Sequence, residues 1–264
     1  MLMYFIKFLL FSFLVWTTTA SAEERILITG KRGYVASVVD GDTVILRDPI
    51  NEANQIRLVG LQAPKLPLGR RGFKAWPLGK ESKLALERLV LGKTIILKYG
   101  GRRMDRHGRI LAHLFLDDGR WVQEEMLRTG MARVYSFPDN RAKVMEMYQF
   151  EQAARSQNKG IWGLPYYTVR NHESLEEDIG TFQVITGRVL NVAKVKGRTY
   201  INFGENWRTD FTITISSKNN KAFIRNKFNP LDLKDRSIRV RGWLRKRNGA
   251  QIDATHPEQI EFLK

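Results

Sequence analysis

The chain has 264 residues and an ordinary 43% hydrophobic content, enough for one large domain or two small ones. Its 44 Lys+Arg against 27 Asp+Glu give a net charge of +17, more than solubility needs, and point to polyanionic partners: nucleic acid first, anionic lipid or cell-wall polymer second. With no cysteine, disulfides, zinc–thiolate sites and thiol nucleophiles are excluded.

In chain order, residues 1–22 carry a single charge, Lys7, then an apolar run from Phe8 to Trp16 and the small-residue step Ala20-Ser21-Ala22. This pattern predicts a cleaved secretory signal peptide, because the apolar run is well short of the roughly 20 residues a spanning helix needs. The expectation is export, to the periplasm or the medium, with no membrane span after cleavage.

From Ile26 to Arg47 the runs "RILITG", "GYVASVV" and "TVILR" are short and rich in β-branched residues, with Asp40-Gly41 between the last two, which predicts a hairpin. "NQIRLVGL" supplies a third strand. Over Leu78 to Leu91, Leu84, Leu86, Leu89 and Val90 follow a helical spacing that Gly92 ends, and strands return in "KTIILKYG" and "RILAHLFL" around the loop "GRRMDRHG". Three strands, a helix and two strands predict a five-stranded OB-type barrel. Two more helices are expected: Val122 to Arg128, stopped by Gly130, and one from near Pro138-Asp139, whose Val144, Met147, Phe150 and Ala154 form an apolar stripe for docking on the barrel.

"NHESLEEDIG", residues 171–180, is polar and acidic and reads as a linker. Beyond it the same order of strands and one helix appears again. The fold class expected is therefore mainly β with α: tandem OB-fold-like five-stranded barrels over 23–170 and 181–264, the first with two additional C-terminal helices.

Two basic features suit an unpaired nucleic-acid strand, with phosphates on cations and bases stacked on rings. In the loop from Leu66 to Lys80, Arg70, Arg71 and Lys74 interleave with Phe73 and Trp76; the alternative is a flap covering the barrel. In "RSIRVRGWLRKR", alternation puts Arg239, Arg241, Trp243 and Arg245 on one exposed strip, opposite Ile238, Val240 and Leu244. "KVKGR" adds Lys194, Lys196 and Arg198, with Tyr200 and Phe203 on the next strand. The alternative for this second half is a structural domain with a solvated edge.

Residues from about 34 to 163 resemble the staphylococcal nuclease family of secreted, calcium-dependent phosphodiesterases. The resemblance lies in "VVDGDTV", "IRLVGLQAP", "ERLVLGK", "DRHGRILAH", "VQEEMLRTGMARV" and "KGIWG", six pieces in order. It implies that Arg57 and Arg109 clamp the phosphate and that Asp42 is the first calcium aspartate. The sequence departs from the family where Gln62 replaces the second aspartate, and again where Lys65 replaces the glutamate that positions the attacking water.

Calcium takes six to eight hard oxygens, so one carboxylate and the amide oxygen of Gln62 beside an ammonium make a poor set. A lysine with an ordinary pKa of about 10.4 is protonated at neutral pH and cannot serve as the base. The reading is a phosphodiesterase fold with impaired calcium-dependent hydrolysis, in which Lys65 supplies the positive charge. Two alternatives stay open: hydrolysis by electrostatic clamping through Arg57, Arg109 and Lys65 with water activated by Asp42 or Glu81, and a non-catalytic binder of nucleic acid or another polyanion. His107 and His113 have no partner at metal-ligand spacing and read as structural.

Overall fold

Period-two alternation of apolar residues closes the first half into a barrel. The computed structural model describes residues 26–263, so the expected signal peptide lies outside the described residues. Strands β1 (Ile28–Asp40), β2 (Thr43–Ile50), β3 (Ala53–Leu58), β5 (Thr94–Tyr99) and β6 (Ile110–Leu116) close in the order β1-β2-β3-β6-β5, while β4 (Leu61–Gln62) pairs with β7 (Arg133–Val134) beside them. Val35, Val44, Leu46, Ile56, Leu58, Leu97 and Leu114 fill the interior. Burying one such aliphatic side chain is worth about 1.5–3 kcal/mol.

Three helices lie against this barrel: α1 (Gly79–Val90), α2 (Val122–Arg128) and α3 (Val144–Ser156). Leu86 and Val90 of α1 are buried, but Leu84 is 48% exposed, so the helix turns a narrower face inward than its leucines suggest. The third helix starts at Val144 rather than near Pro138-Asp139, because Phe137 and Asn140 first form a tight bridge and Lys143 takes a left-handed conformation at φ 63°. Its stripe docks as expected, with Val144, Met147 and Ala154 buried.

The second half does not close into a barrel. Its strands are β8 (Arg170–Asn171), β9 (Phe182–Arg188), β10 (Asn191–Val195), β11 (Arg198–Asn202), β12 (Thr212–Ile215), β13 (Ser237–Trp243), β14 (Arg245–Arg247), β15 (Gly249–Asp253) and β16 (Ile260–Phe262), with helix α4 (Ser217–Arg225) between β12 and β13. They form two sheets, β10-β11-β12-β15-β14 and β16-β13-β9-β8, which share one core containing Ile185, Ile201, Ile213, Ile238 and Ile252. The strands at the ends of one sheet find no partner in the other, and closure fails there. Residues 171–180 begin in β8 and send Leu175 into this core at 2% exposure.

The halves meet across a buried polar junction, and here the expected basic strip is corrected. Arg241 is 1% exposed: its guanidinium donates to both Glu151 carboxylate oxygens at 2.9 and 3.0 Å, to Val134 O at 3.0 Å and to Glu261 at 2.7 Å, and lies 4.3 Å from the Tyr148 ring. Arg239 pairs with Glu261 at 3.3 Å, and Trp243 donates to the Tyr135 hydroxyl at 3.0 Å. Alternation did place these side chains on one face; α3 and β7 cover Arg241, while Trp243 stays 40% exposed and the Arg245 side chain 70%. Arg141 adds a paired bond to Glu258 at 2.6 and 2.7 Å, and the Tyr148 hydroxyl donates to Glu258 O.

At the same junction His256 bonds Ser136 Oγ at 2.7 Å and Thr255 Oγ1 at 2.9 Å, and burial pushes its pKa down to about 4. The unfolded chain protonates this ring near the ordinary value of about 6.5, so stability is full above that pH and falls as pH drops toward the folded value. We expect denaturant titrations at pH 7 and pH 5 to show a drop smaller by about 2 kcal/mol in His256→Gln than in the natural chain, since each tenfold difference in proton affinity is worth about 1.36 kcal/mol. An equal drop in both chains refutes this role.

Candidate active site

The site begins in the tight turn between β1 and β2. Gly41 is required there, because a Cβ would lie 1.9 Å from Ser82 Oγ and 2.7 Å from Ala63 Cβ. The turn is thereby wedged between α1 and the chain after β4, and it carries Asp40 and Asp42 inward to 4% and 0% exposure.

A carboxylate this buried must be fully bonded, and Asp42 is. Ala63 N–H donates to Oδ2 at 2.9 Å and Thr43 Oγ1 to Oδ1 at 3.2 Å, while Arg57 Nη2 stands at 3.1 Å and Lys65 Nζ at 2.6 Å from Oδ2. Burial raises its pKa, but Arg57 and then Lys65 outweigh that and hold the carboxyl well below the usual carboxylate range. Asp40 goes the other way: burial and then the charge of Asp42 raise it against the pull of Lys65, whose Nζ lies 3.3 Å from Asp40 Oδ2.

Arg57 sits in β3 between Ile56 and Leu58, which are both fully buried in the core. Its terminal nitrogens donate to Leu58 O at 2.7 Å, Leu61 O at 2.8 Å and Asp42 O at 3.3 Å. The guanidinium is thus locked in place beside Asp42. Lys65 is the more accessible cation, with 22% of its side chain exposed.

Gln62 is turned away from this cluster. Its Oε1 accepts from Arg133 Nε at 3.0 Å and Nη2 at 2.8 Å. Arg133 is buried, with the rings of Phe182, Tyr167 and Trp76 at 4.6, 5.5 and 5.9 Å from its guanidinium carbon, and burial pushes its pKa down to about 10. Sequence reasoning missed Arg133. The only signal was its place in "GMARV" between two small or apolar residues, which reads equally well as a surface position on a short strand.

These residues do not fit calcium. The two carboxylates of the pocket are both held by Lys65, and the oxygen of Gln62 is taken by Arg133. Among the described residues no group of three or more His, Cys, Asp or Glu is placed to hold a metal ion.

Arg109 stands two residues before Leu111, the β6 partner of Arg57, and the loop cations lie on the surface. Arg109 forms a paired bond to Asp105, with Nε and Nη2 each at 2.7 Å from Oδ2, at the end of the loop before β6. Arg70, Arg71 and Lys74 are exposed. Arg70 donates to Leu66 O at 2.5 Å and Pro67 O at 3.0 Å and stacks 3.7 Å from the Phe73 ring centre, while Trp76 packs toward Tyr166 and Arg133. Buried His113, beside Trp121, has its pKa pushed down to about 3 by burial.

Residues 55–163 match the family model described as staphylococcal nuclease homologue. The chain is 36% identical over 137 residues to an uncharacterised endonuclease of Escherichia coli, covering 52% of this chain and 80% of that protein. Endonuclease YhcR of Bacillus subtilis is 30% identical over 136 residues, covering 49% of this chain and 11% of the relative. A thermonuclease of Staphylococcus intermedius is 25% identical over 135 residues, 51% of this chain and 78% of that one.

Proposed function

The chain belongs to the staphylococcal nuclease homologue family, and on that premise we propose that it is an exported protein acting on nucleic-acid phosphodiesters with its calcium-dependent hydrolysis impaired. The observation that carries this reading is the position of Lys65, with Nζ 2.6 Å from Asp42 Oδ2 and 3.3 Å from Asp40 Oδ2. An ammonium held there neutralises the pocket's carboxylates without a metal ion. It also offers a fixed positive charge to a phosphodiester entering beside Arg57.

What the pocket lacks is a base. Asp42 is buried and fully bonded, and Asp40, though burial raises its pKa, accepts the Asp42 N–H at 3.1 Å and is held by Lys65 at 3.3 Å, so neither carboxylate is free to take a proton from water. Fixed cations stabilise a phosphoryl transition state, but positioning of the attacking water is a separate contribution. The arrangement therefore favours binding over turnover. The exposed cations Arg70, Arg71 and Lys74 support contact with the strand on either side of the pocket, and the pattern of residues 1–22 supports export.

The test is cleavage and binding of fluorescently labelled single-stranded DNA and RNA by the chain from Glu23 onward, in calcium and in chelator. We expect salt-sensitive binding and slow cleavage that is the same in both. Rapid cleavage abolished by chelator overturns the reading, and binding with no cleavage at all makes the protein a non-catalytic binder.

A further inference from the structure

We propose that the outer face of the β10-β11-β12-β15-β14 sheet is a second binding site, built for an unpaired nucleic-acid strand. It lies outside residues 55–163 and does not depend on the barrel pocket. The expectation of an exposed Arg241 fails, because that side chain is buried between the two halves. The other sheet of the second half, however, carries an open cleft of about 570 Å³, within the range of small-ligand sites.

Strand alternation makes the cleft. Along β11, Thr199 and Ile201 are buried, while Arg198, Tyr200 and Asn202 point outward. Across the sheet Tyr200 stands between Ala193 of β10 and Thr214 of β12, so its ring has small neighbours on both sides. The floor beside it is a polar ladder that includes Asp253, whose carboxylate is taken by Thr214, by Gln251 at 3.0 Å and by Arg245 at 3.3 Å. Thr212 donates to Asn202 Oδ1 at 3.1 Å, and Gln251 Nε2 donates to Thr214 Oγ1 at 3.3 Å.

The rim supplies the second ring and the charge. Trp207 is 54% exposed on a loop that Asp210 fixes by accepting the Asn206 N–H at 2.8 Å, and Arg208 lies 4.8 Å from its ring centre. Arg198 and Arg247 line the cleft from the two hairpin ends, and no other aspartate or glutamate lines it. Exposed Lys196, in the turn between β10 and β11, adds positive charge beside it.

Two rings for bases, two arginines for phosphates and an amide–hydroxyl floor for base edges fit an unpaired strand. A neutral oligosaccharide would use the rings and the floor but leave both arginines without counter-charge. Duplex nucleic acid would not reach Tyr200 between the strands.

The experiment titrates the chain from Glu23 onward with a labelled 12-nucleotide oligothymidylate in chelator, reading anisotropy and tryptophan fluorescence. We expect quenching of the natural chain. Trp207→Ala should weaken binding about tenfold, the lower part of the range for loss of one stacked base. Trp207→Phe should retain binding but lose the quench, and the Arg198→Ala, Arg247→Ala pair should lower the slope of log K against log salt by about 1.4, at 0.7 per phosphate contact. All substitutions are at partly or fully exposed positions, so the fold is kept. Unchanged affinity and slope in every variant overturn the proposal, and so does quenching of Trp207 by a neutral oligosaccharide but not by oligothymidylate. Failure of this site leaves the natural chain and Trp207→Phe with the same fluorescence change while barrel-dependent cleavage is unaltered, and failure of the barrel reading leaves the part of the quench that Trp207→Phe removes in place.

Discussion

Lys65→Glu should make the first barrel respond to calcium, and Gln62→Asp alone should not. Replacing the ammonium with a carboxylate gathers Asp40, Asp42 and residue 65 around one pocket, with Arg57 as the remaining nearby cation. Without metal, that variant loses a partner of a fully buried carboxylate, a change worth about 3–5 kcal/mol. A divalent ion restores the lost charge and adds stability as it binds: about 2.7 kcal/mol when calcium is a hundredfold above its dissociation constant. The unfolding temperature of Lys65→Glu should therefore rise with calcium, while that of the natural chain stays flat.

Gln62→Asp behaves differently because of Arg133. That guanidinium already approaches residue 62 at 2.8 and 3.0 Å and meets only a neutral amide oxygen. A carboxylate there becomes its counter-ion, stabilising the fold without becoming available to a metal. In cleavage assays Lys65→Glu should gain a calcium-dependent rate on the order of 10²-fold over the natural chain, the scale of general base catalysis, with Gln62→Asp adding little. A Lys65→Glu chain whose stability and cleavage both ignore calcium would falsify the assignment of this pocket.

How far these positions were legible follows from the kind of signal each one leaves. The closed barrel, α1 and α2 could be read because alternation, helical spacing and glycine stops are local. Asp42, Arg57 and Lys65 were placed by motif, and the structure brings all three within ion-pair distance. Arg133 could not be read, since its meaning depends on Gln62, 71 residues away, and on aromatic rings from both halves. The second barrel failed for a similar reason: the order of strands repeats, but whether the end strands meet is decided by pairing far apart in sequence. Alternation in β13 was itself correct. What it cannot say is whether water or another part of the chain covers the polar face.

Arg241→Ala tests that covered face and should be the most destabilising of these single changes outside the pocket. It leaves Glu151, 1% exposed, with only the Val134 N–H at 2.6 Å and Arg155 at 3.3 Å. Removing one partner of a buried ion pair costs about 3–5 kcal/mol, which lowers the unfolding temperature by on the order of 10 °C in a chain of this size. Arg241→Lys keeps the charge but not the two-pronged bond, and should fall between. Adding Glu151→Gln to Arg241→Ala should cost less than the two changes summed, with a coupling of about 2 kcal/mol. The effect should also reach the barrel: Arg241 holds Val134 O at 3.0 Å, and the next residue along β7 is Arg133, which fixes Gln62. Weaker oligonucleotide binding by Arg241→Ala, at a temperature where it is still folded, is the expected sign that the second half braces the site in the first. Natural stability in Arg241→Ala means that the junction is a contact without consequence, and the two halves then act independently.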